Sequence, residues 1–533
     1  MPDDAYRPLH EDPVIHRRRW FLLGVMCLSL VMVVMSVAGL NVAIPSLQTD
    51  LKSSASELQW IIDAYALVFA ALLLPAGALG DRFGRKRALL FGLVVFALGS
   101  IVGGLGTAAP QIIFGRVING IGAAFVMPAT LSLLTTIFPP EERSKAIAMW
   151  AGFAGAGGAL GPIVSGGLLE RFWWGSAFLV NVPIVLAVVA AVAVFSPTSK
   201  DPHATPLDPV GALLSLVGLA GLVFGIIEGP ERGWTDSYVV LAFIVAAIML
   251  TSFLVWERRS THPMLPLSFF RDRRMAVGSG VVTTAFFVMF GLFFGFTFYL
   301  QFVRNYSPLS AGLATLPLAI ALVAVAPRSA ALSARLGSGP VMALGFVLVA
   351  AGFGVLGFIE PSSPYLVLVV ALVLLGIGMS LTAAPATGSI MSSVPHAKAG
   401  VGSAVNDTTR EVGGALGIAV LGSISSAVYR SSIDLEGLTL PPQIREAAEE
   451  SVGAATVLGR SVPGAGEVVG RAGEAFTHAF NVTSLAAGAL ALVAAGVVYK
   501  VFSKPSELAA AEANPMTSSP PAAEPELELD ASS

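Results

Sequence analysis

Long apolar runs, each closed by a short polar or Gly/Pro-containing break, recur along the chain from Trp20 to the last hydrophobic stretch before Lys500. A bilayer-spanning helix needs about 20 mainly apolar residues. Fourteen runs meet that length, beginning near Trp20, Leu58, Ala88, Pro110, Ala146, Gly175, Leu207, Tyr238, Met275, Ala311, Val341, Tyr365, Gly400 and Ala479. Gly, Pro and polar residues interrupt the runs that begin at Ala311 and Gly400. The pattern predicts an all-α polytopic membrane protein.

Composition agrees. Of 533 residues, 55% are hydrophobic and 12% charged, against about 25% charged in soluble domains. The net charge of −3 lacks the basic footprint that nucleic-acid binding requires. The single cysteine, Cys27, lies in the first apolar run, which excludes disulfides and cysteine metal clusters. The six histidines show no metal-ligand spacing, so no metal is expected. Arg17, Arg18 and Arg19 precede an apolar run much longer than the roughly 7–15 residues of a cleavable signal, which reads as an uncleaved first span.

Lys and Arg accumulate in cytoplasmic loops. Here 21 of 31 fall on the side of the N-terminus and eight on the other, with Arg116 and Arg410 inside spans. Both termini are therefore expected in the cytoplasm of a multi-pass cell-membrane protein. The outer loop 430–477 mixes acids, bases and small apolar residues, which suits either a short amphipathic helix or disorder. The tail after Lys504, rich in Pro, Ala, Glu and Ser, has the composition of a disordered segment.

Between the second and third spans lies "GALGDRFGRKRALL", Gly77 to Leu90. Gly80 and Gly84 give a tight turn its backbone freedom. The surrounding Arg82, Arg85, Lys86 and Arg87 are what the positive-inside bias alone would place there. Asp81 is not explained that way. An acid between helix ends can accept backbone N–H groups or an arginine and hold two helical bundles in one state.

This stretch resembles the signature loop of the major facilitator superfamily, with Gly77, Gly80, Asp81, Arg82, Gly84, Arg85 and Lys86 at the expected offsets. Three further stretches narrow the resemblance. "RVINGIGAAFVMPAT" in span four is similar to the buried-arginine motif of proton-coupled members, with Arg116 followed by Gly120 and Gly122. "GFAGAGGALGPIVSGG" in span five resembles the antiporter motif through Gly152, Gly161, Pro162 and Gly166, with Ser165 where Gly is usual. "NVAIP" at the end of span one and "FLVNVPI" in span six resemble the fourteen-span drug:proton antiporters of the EmrB/QacA type.

The resemblance implies two six-helix bundles plus two linking helices. It assigns 1–19 to a cytoplasmic N-terminus, 20–198 to the first bundle and 199–258 to the linker with its two spans. The second bundle is 259–503, including outer loop 430–477, and 504–533 is the tail. It also implies a monomer powered by the proton gradient, with no cofactor. The second-half counterpart of the signature loop, "APRSAALSARLGSG", lacks the acid, so any lock is built mainly from the first half. The small residues of span five also suit close helix packing without any transport role, and Gly161-Pro162 permits a bend.

Five charges remain inside spans: Asp63, Arg116, Asp407, Arg410 and Glu411. Each ionised group near a bilayer centre costs roughly 2.5–3.5 kcal/mol on insertion scales. At a helical rise of 1.5 Å, Asp63 and Arg116 lie roughly 8 and 9 Å from the outer ends of their spans, which predicts that they share one polar environment. Asp407 and Glu411 lie roughly 10 and 16 Å from the opposite side. Arg410 is three residues from Asp407, and Asp407 and Glu411 share a helix face. One cation beside two acids leaves a carboxylate without a full partner, which suits a proton carrier. Glu411, or the Asp407/Glu411 pair, is the expected carrier, and a static salt-bridge network is the alternative.

The chain departs from the family at Ser36, where an acid is common five positions before the Asn of "NVAIP". Asp63, Asp407 and Glu411 would have to serve instead. Asn41, Gln301 and Asn406 are candidate lining residues of a substrate cavity, beside the Phe-rich stretch 286–302. The expected activity is export of a small hydrophobic, drug-like or antibiotic-like compound in exchange for protons. The alternative is export or flipping of an endogenous lipid or secondary metabolite. No nucleophile, base or metal set of an enzyme is visible in the chain.

Overall fold

A computed structural model describes residues 9–51, 55–199, 208–395, 398–436, 438, 441–450, 452–461 and 466–502. The first half contains α1 (Pro13–Leu51), α2 (Ala55–Phe83), α3 (Arg85–Gly104), α4 (Ala109–Ile137), α5 (Pro140–Leu169), α6 (Ser176–Leu179) and α7 (Asn181–Phe195). A pair, α8 (Pro209–Arg232) and α9 (Ser237–Arg259), follows. The second half contains α10 (Arg273–Phe298), α11 (Pro308–Ala314), α12 (Leu316–Leu336), α13 (Ser338–Leu356), α14 (Tyr365–Ser392) and α15 (Ala399–Ser432). Two short helices, α16 (Pro442–Glu450) and α17 (Val452–Ser461), lead into α18 (Gly466–Phe502).

Fourteen stretches are long and apolar enough to cross a membrane, in register with the fourteen apolar runs. Several boundaries differ, each for a local reason. Span six is made of α6 and α7, and span ten of α11 and α12, broken at Val180 and Thr315. Span nine ends in a π-turn, Tyr299–Val303. The last helix begins at Gly466 rather than near Ala479, because Glu467 and Arg471 pair one turn apart on a helix that extends beyond the apolar run. Loop 430–477 is therefore helical at α16 and α17, and the tail after Lys504 lies outside the described residues.

The two halves repeat one local design. Gly84 (φ 109°) joins α2 to α3, and Gly337 (φ 83°) joins α12 to α13, each in a conformation that L side chains rarely adopt. Helices α3 and α4 touch along glycines: a Cβ on Gly122 would lie 2.6 Å from the Phe96 nitrogen. Helices α13 and α14 do the same, with a Cβ on Gly378 falling 2.6 Å from the Gly345 oxygen. Each half has its own apolar core, one around Leu22, Phe96, Leu131 and Trp150, the other around Phe296, Phe346, Leu375 and Phe480.

Between the halves, α5 packs against α11, α12 and α14, while α15 packs against α2 and α4. Helix α8 leans on both α2 and α15, and α9 lies against α8. The side of the membrane at which α1 begins and α18 ends is called the basic face below. Replacing Gly122 by Leu must push α4 off α3. We expect a loss of about 1–3 kcal/mol, the usual cost of overpacking, read as a lower melting temperature of the detergent-purified protein. An unchanged melting temperature would show that this contact does not limit stability.

Candidate functional site

The signature loop is a clamp between the halves. Helix α15 begins at Ala399 with backbone N–H groups that no turn of its own satisfies. Asp81, 4% exposed at the end of α2, supplies the acceptors. Its Oδ1 accepts from the Gly400 N–H at 2.9 Å and its Oδ2 from the Val401 N–H at 3.1 Å. The positive end of the α15 dipole adds to the attraction. Arg85 Nε donates to the same carboxylate at 3.0 Å, and its NH1 donates to the Ser199 hydroxyl at 3.1 Å. Lys86 Nζ caps the end of α7 through the Ala193 and Ser196 carbonyls, both at 2.8 Å.

Two of the loop's cations are thus tied to defined acceptors, and Arg82 lies over the Phe83 ring at 5.6 Å. Gly77 is where the helices meet: a Cβ there would sit 2.6 Å from the Gly400 oxygen. Gly80 faces Ala88 on α3.

Deeper in the same helix lie the charges that the sequence singles out. Asp407 is fully buried. Its Oδ1 accepts from Asn406 Nδ2 at 3.2 Å and stands 3.6 Å from Arg410 NH1, while Oδ2 has no partner among the described residues. Asn406 in turn accepts from the Thr387 hydroxyl at 3.0 Å. Glu411 is partly exposed. Arg410 lies over the rings of Phe286 (4.5 Å) and Trp150 (5.7 Å).

On the first half, Arg116 is fully buried. Its Nε donates to the Ile61 carbonyl at 2.9 Å, and its guanidinium lies 4.4 Å from the Tyr65 ring centre. Its two terminal nitrogens have no hydrogen-bond partner among the described residues. Asp63 is half-buried on α2, two residues beyond the Ile61 whose carbonyl Arg116 holds.

Tyr65 and Trp150 carry no signal in the sequence, whereas Phe286 opens the Phe-rich stretch already noted. The first two are single aromatics in apolar runs, with nothing local to separate them from packing residues. Two of the three cavity candidates, Gln301 and Asn406, are not brought together. Helices α10 and α15 run side by side, with a Cβ on Gly413 meeting Thr283 and one on Gly291 meeting the Gly417 oxygen at 3.0 Å. In that register Gln301 and Asn406 lie roughly 35 Å apart along the bundle. Asn406 is a buried support for Asp407 rather than a lining residue. The side chain of Asn41 lies outside the described residues.

Helix α5 divides its motif between two faces. A Cβ on Gly161 would lie 2.6 Å from the Gly39 nitrogen of α1, within the first half. Cβ atoms on Gly152 and Gly166 would meet Ala326 of α12 at 2.8 Å and Leu309 of α11 at 3.3 Å, across the interface. Pro162 lies inside a continuous helix and touches the other half, 3.0 Å from where a Cβ on Gly312 would be.

A profile described as the Major Facilitator Superfamily matches residues 26–418. The chain is 36% identical over 493 residues to the multidrug efflux pump LfrA of Mycolicibacterium smegmatis, covering 91% of this chain and 96% of that protein. It is 33% identical over 491 residues to the tetracenomycin C resistance and export protein of Streptomyces glaucescens, covering 90% and 91%. It is also 33% identical over 484 residues to the methyl viologen resistance protein SmvA of Salmonella typhimurium, covering 90% and 97%. Among solved structures, the fold is similar to that of the proton:xylose symporter XylE, with a TM-score of 0.58 at 14% identity over 91% of this chain and 96% of that one.

The clamp is testable by access. In a Cys27→Ser background, a cysteine introduced at Ala404, buried where α2 meets α15, should react slowly with a maleimide. Asp81→Asn keeps the shape and removes the charge that holds the α15 N-terminus. We expect it to speed labelling about tenfold, the equivalent of about 1.4 kcal/mol. Equal rates in the two proteins would mean that the carboxylate does not hold the halves together.

Proposed function

The chain belongs to the major facilitator superfamily, and on that premise we propose that it exports hydrophobic drug-like or antibiotic-like compounds across the cell membrane in exchange for protons. The observation that carries the proposal is the composition of α15. One helix holds a fully buried acid, Asp407, and a partly exposed one, Glu411, one turn apart and starts on a carboxylate of the opposite half. A change in charge at Asp407 or Glu411 is therefore made on the same rigid element that the clamp restrains.

The mechanism follows from the cost of charge in hydrocarbon. Two carboxylates and one guanidinium leave one negative charge in excess. A proton on Glu411 or Asp407 removes it, and the neutral site is at home in the closed interface. Loss of that proton restores the charge and favours a state in which water or substrate reaches the site. Alternating access requires only that proton and substrate favour different states. Release of the Asp81 clamp lets α2 and α15 separate at the basic face, which the Lys and Arg distribution assigns to the cytoplasm.

In this reading the first half (20–198) and the second half (259–503) move about α5, while the α8–α9 pair follows α2 and α15. The protein works as a monomer without a cofactor, driven by the proton gradient. The Streptomyces glaucescens relative, a tetracenomycin C resistance and export protein, favours a second reading, export or flipping of an endogenous lipid or secondary metabolite. Metabolite profiling of a deletion strain separates the two.

The test is proton movement in energised inside-out vesicles supplied with hydrophobic neutral and cationic compounds. Compound-induced collapse of the pH gradient in wild type, lost in Glu411→Gln, is the expected result. A response that survives in Glu411→Gln and disappears in Asp63→Asn would move the carrier to α2. Silence toward every compound would overturn the antiport reading.

A further inference from the structure

In the first half, most cations of the basic face bind the protein itself. Arg19 pairs with Glu142 at 2.6 Å, Arg143 donates to the Phe138 carbonyl at 3.2 Å, and Arg85 and Lys86 hold the acceptors described above. The junction between α9 and α10 breaks this pattern. Arg258 and Arg259 end α9, and Arg271, Arg273 and Arg274 lead into α10. A single helical turn, Leu267–Arg271, packs against both helices, so the five belong to one short stretch of surface. Four are exposed and Arg274 is half-buried. None has an ion pair, a side-chain hydrogen bond or a ring contact among the described residues. The two acids of the stretch are engaged elsewhere. Glu257, 4% exposed, accepts from the Leu265 N–H at 3.1 Å, and Asp272 caps α10 by accepting from the Arg274 N–H at 2.8 Å. Trp256 and Phe270, 39% and 37% exposed, stand among the arginines, with Trp256 Nε1 fixed on the Asp208 carboxylate at 2.9 Å. Exposed aromatic rings next to a spanning helix lie at the headgroup level of a bilayer.

We infer that the α9–α10 junction is a binding site for the phosphate groups of anionic phospholipids. The positive-inside bias accounts for the side on which these arginines lie. It does not account for five of them gathered without one protein acceptor, since like charges at close quarters repel. Phosphate oxygens supply what the chain withholds. A guanidinium meets a phosphate through two parallel hydrogen bonds, and about four to eight basic residues beside a spanning helix form the usual footprint for anionic headgroups. The exposed rings of Trp256 and Phe270 then lie against the lipid next to the bound headgroups. The junction is also the covalent link between the α8–α9 pair and the second half. Because α8 leans on α2 and α15, a lipid that holds the junction holds the pair in place beside the Asp81 clamp. The inference goes beyond the export reading and does not depend on what the protein exports.

The experiment is thermal unfolding of the purified full-length protein in neutral detergent, titrated with phosphatidylglycerol. Phosphatidylcholine is the zwitterionic control and inorganic phosphate the free anion. Phosphatidylglycerol should raise the melting temperature, and the other two should not. Combining Arg258→Gln, Arg259→Gln, Arg271→Gln, Arg273→Gln and Arg274→Gln should raise the phosphatidylglycerol concentration at half-effect by about tenfold or more. Combining Arg17→Gln, Arg87→Gln and Arg335→Gln, at exposed arginines scattered over the same face, should leave it nearly unchanged. Should the junction variant fail to insert, Arg271→Gln with Arg273→Gln serves, and a shift of about threefold or more is expected. An unchanged half-effect concentration in the folded junction variant, or an equal loss in the scattered variant, would overturn the site. Stabilisation by inorganic phosphate equal to that by the lipid would overturn the assignment to a lipid headgroup.

Discussion

Helix α15 starts on a carboxylate that belongs to the other half of the protein. Asp81 satisfies two of the N–H groups that the first turn of any helix leaves open, and it does so at the point where Gly77 and Gly400 allow two backbones to touch. Few interactions join so much with so little. The same carboxylate is tied through Arg85 to Ser199, next to the end of α7 that Lys86 caps. One acid therefore connects the end of the first bundle, the turn between α2 and α3, and the helix that carries Asp407, Arg410 and Glu411. Motion of α15 and breakage of this contact are a single event.

The interior charges acquire their meaning from that linkage. On a helix locked to its surroundings, Asp407 and Arg410 would be a loose ion pair. On α15 they sit at the seam, with Trp150 contributed by the first half and Phe286 by the second. A buried charge favours whichever arrangement of the halves best solvates it. Adding or removing a proton at the seam is therefore a force on the interface rather than on one helix.

Helix α5 divides the labour differently. Its motif reads along the sequence as one device, yet Gly161 serves close packing on α1 while Gly152, Pro162 and Gly166 serve contact with α11 and α12. Small residues therefore lie on both faces, one toward its own bundle and one toward the other half.

Spans, their number and the loop with its glycines at Gly77, Gly80 and Gly84 were legible in the chain, because hydrocarbon thickness sets helix length and tight turns demand glycine. So was the placing of Asp407 and Glu411 inside one spanning helix, since helical rise alone converts position into depth. The lateral neighbours were not. Nothing near Tyr65, Trp150 or Phe286 distinguishes an aromatic beneath a guanidinium from one in a core, and Gln301 and Asn406 read as companions although the register of α10 on α15 separates them. Depth is a property of one helix, fixed by its own sequence. Which side chains meet across the seam depends on the rotation and register of several helices at once, and only tertiary packing decides that.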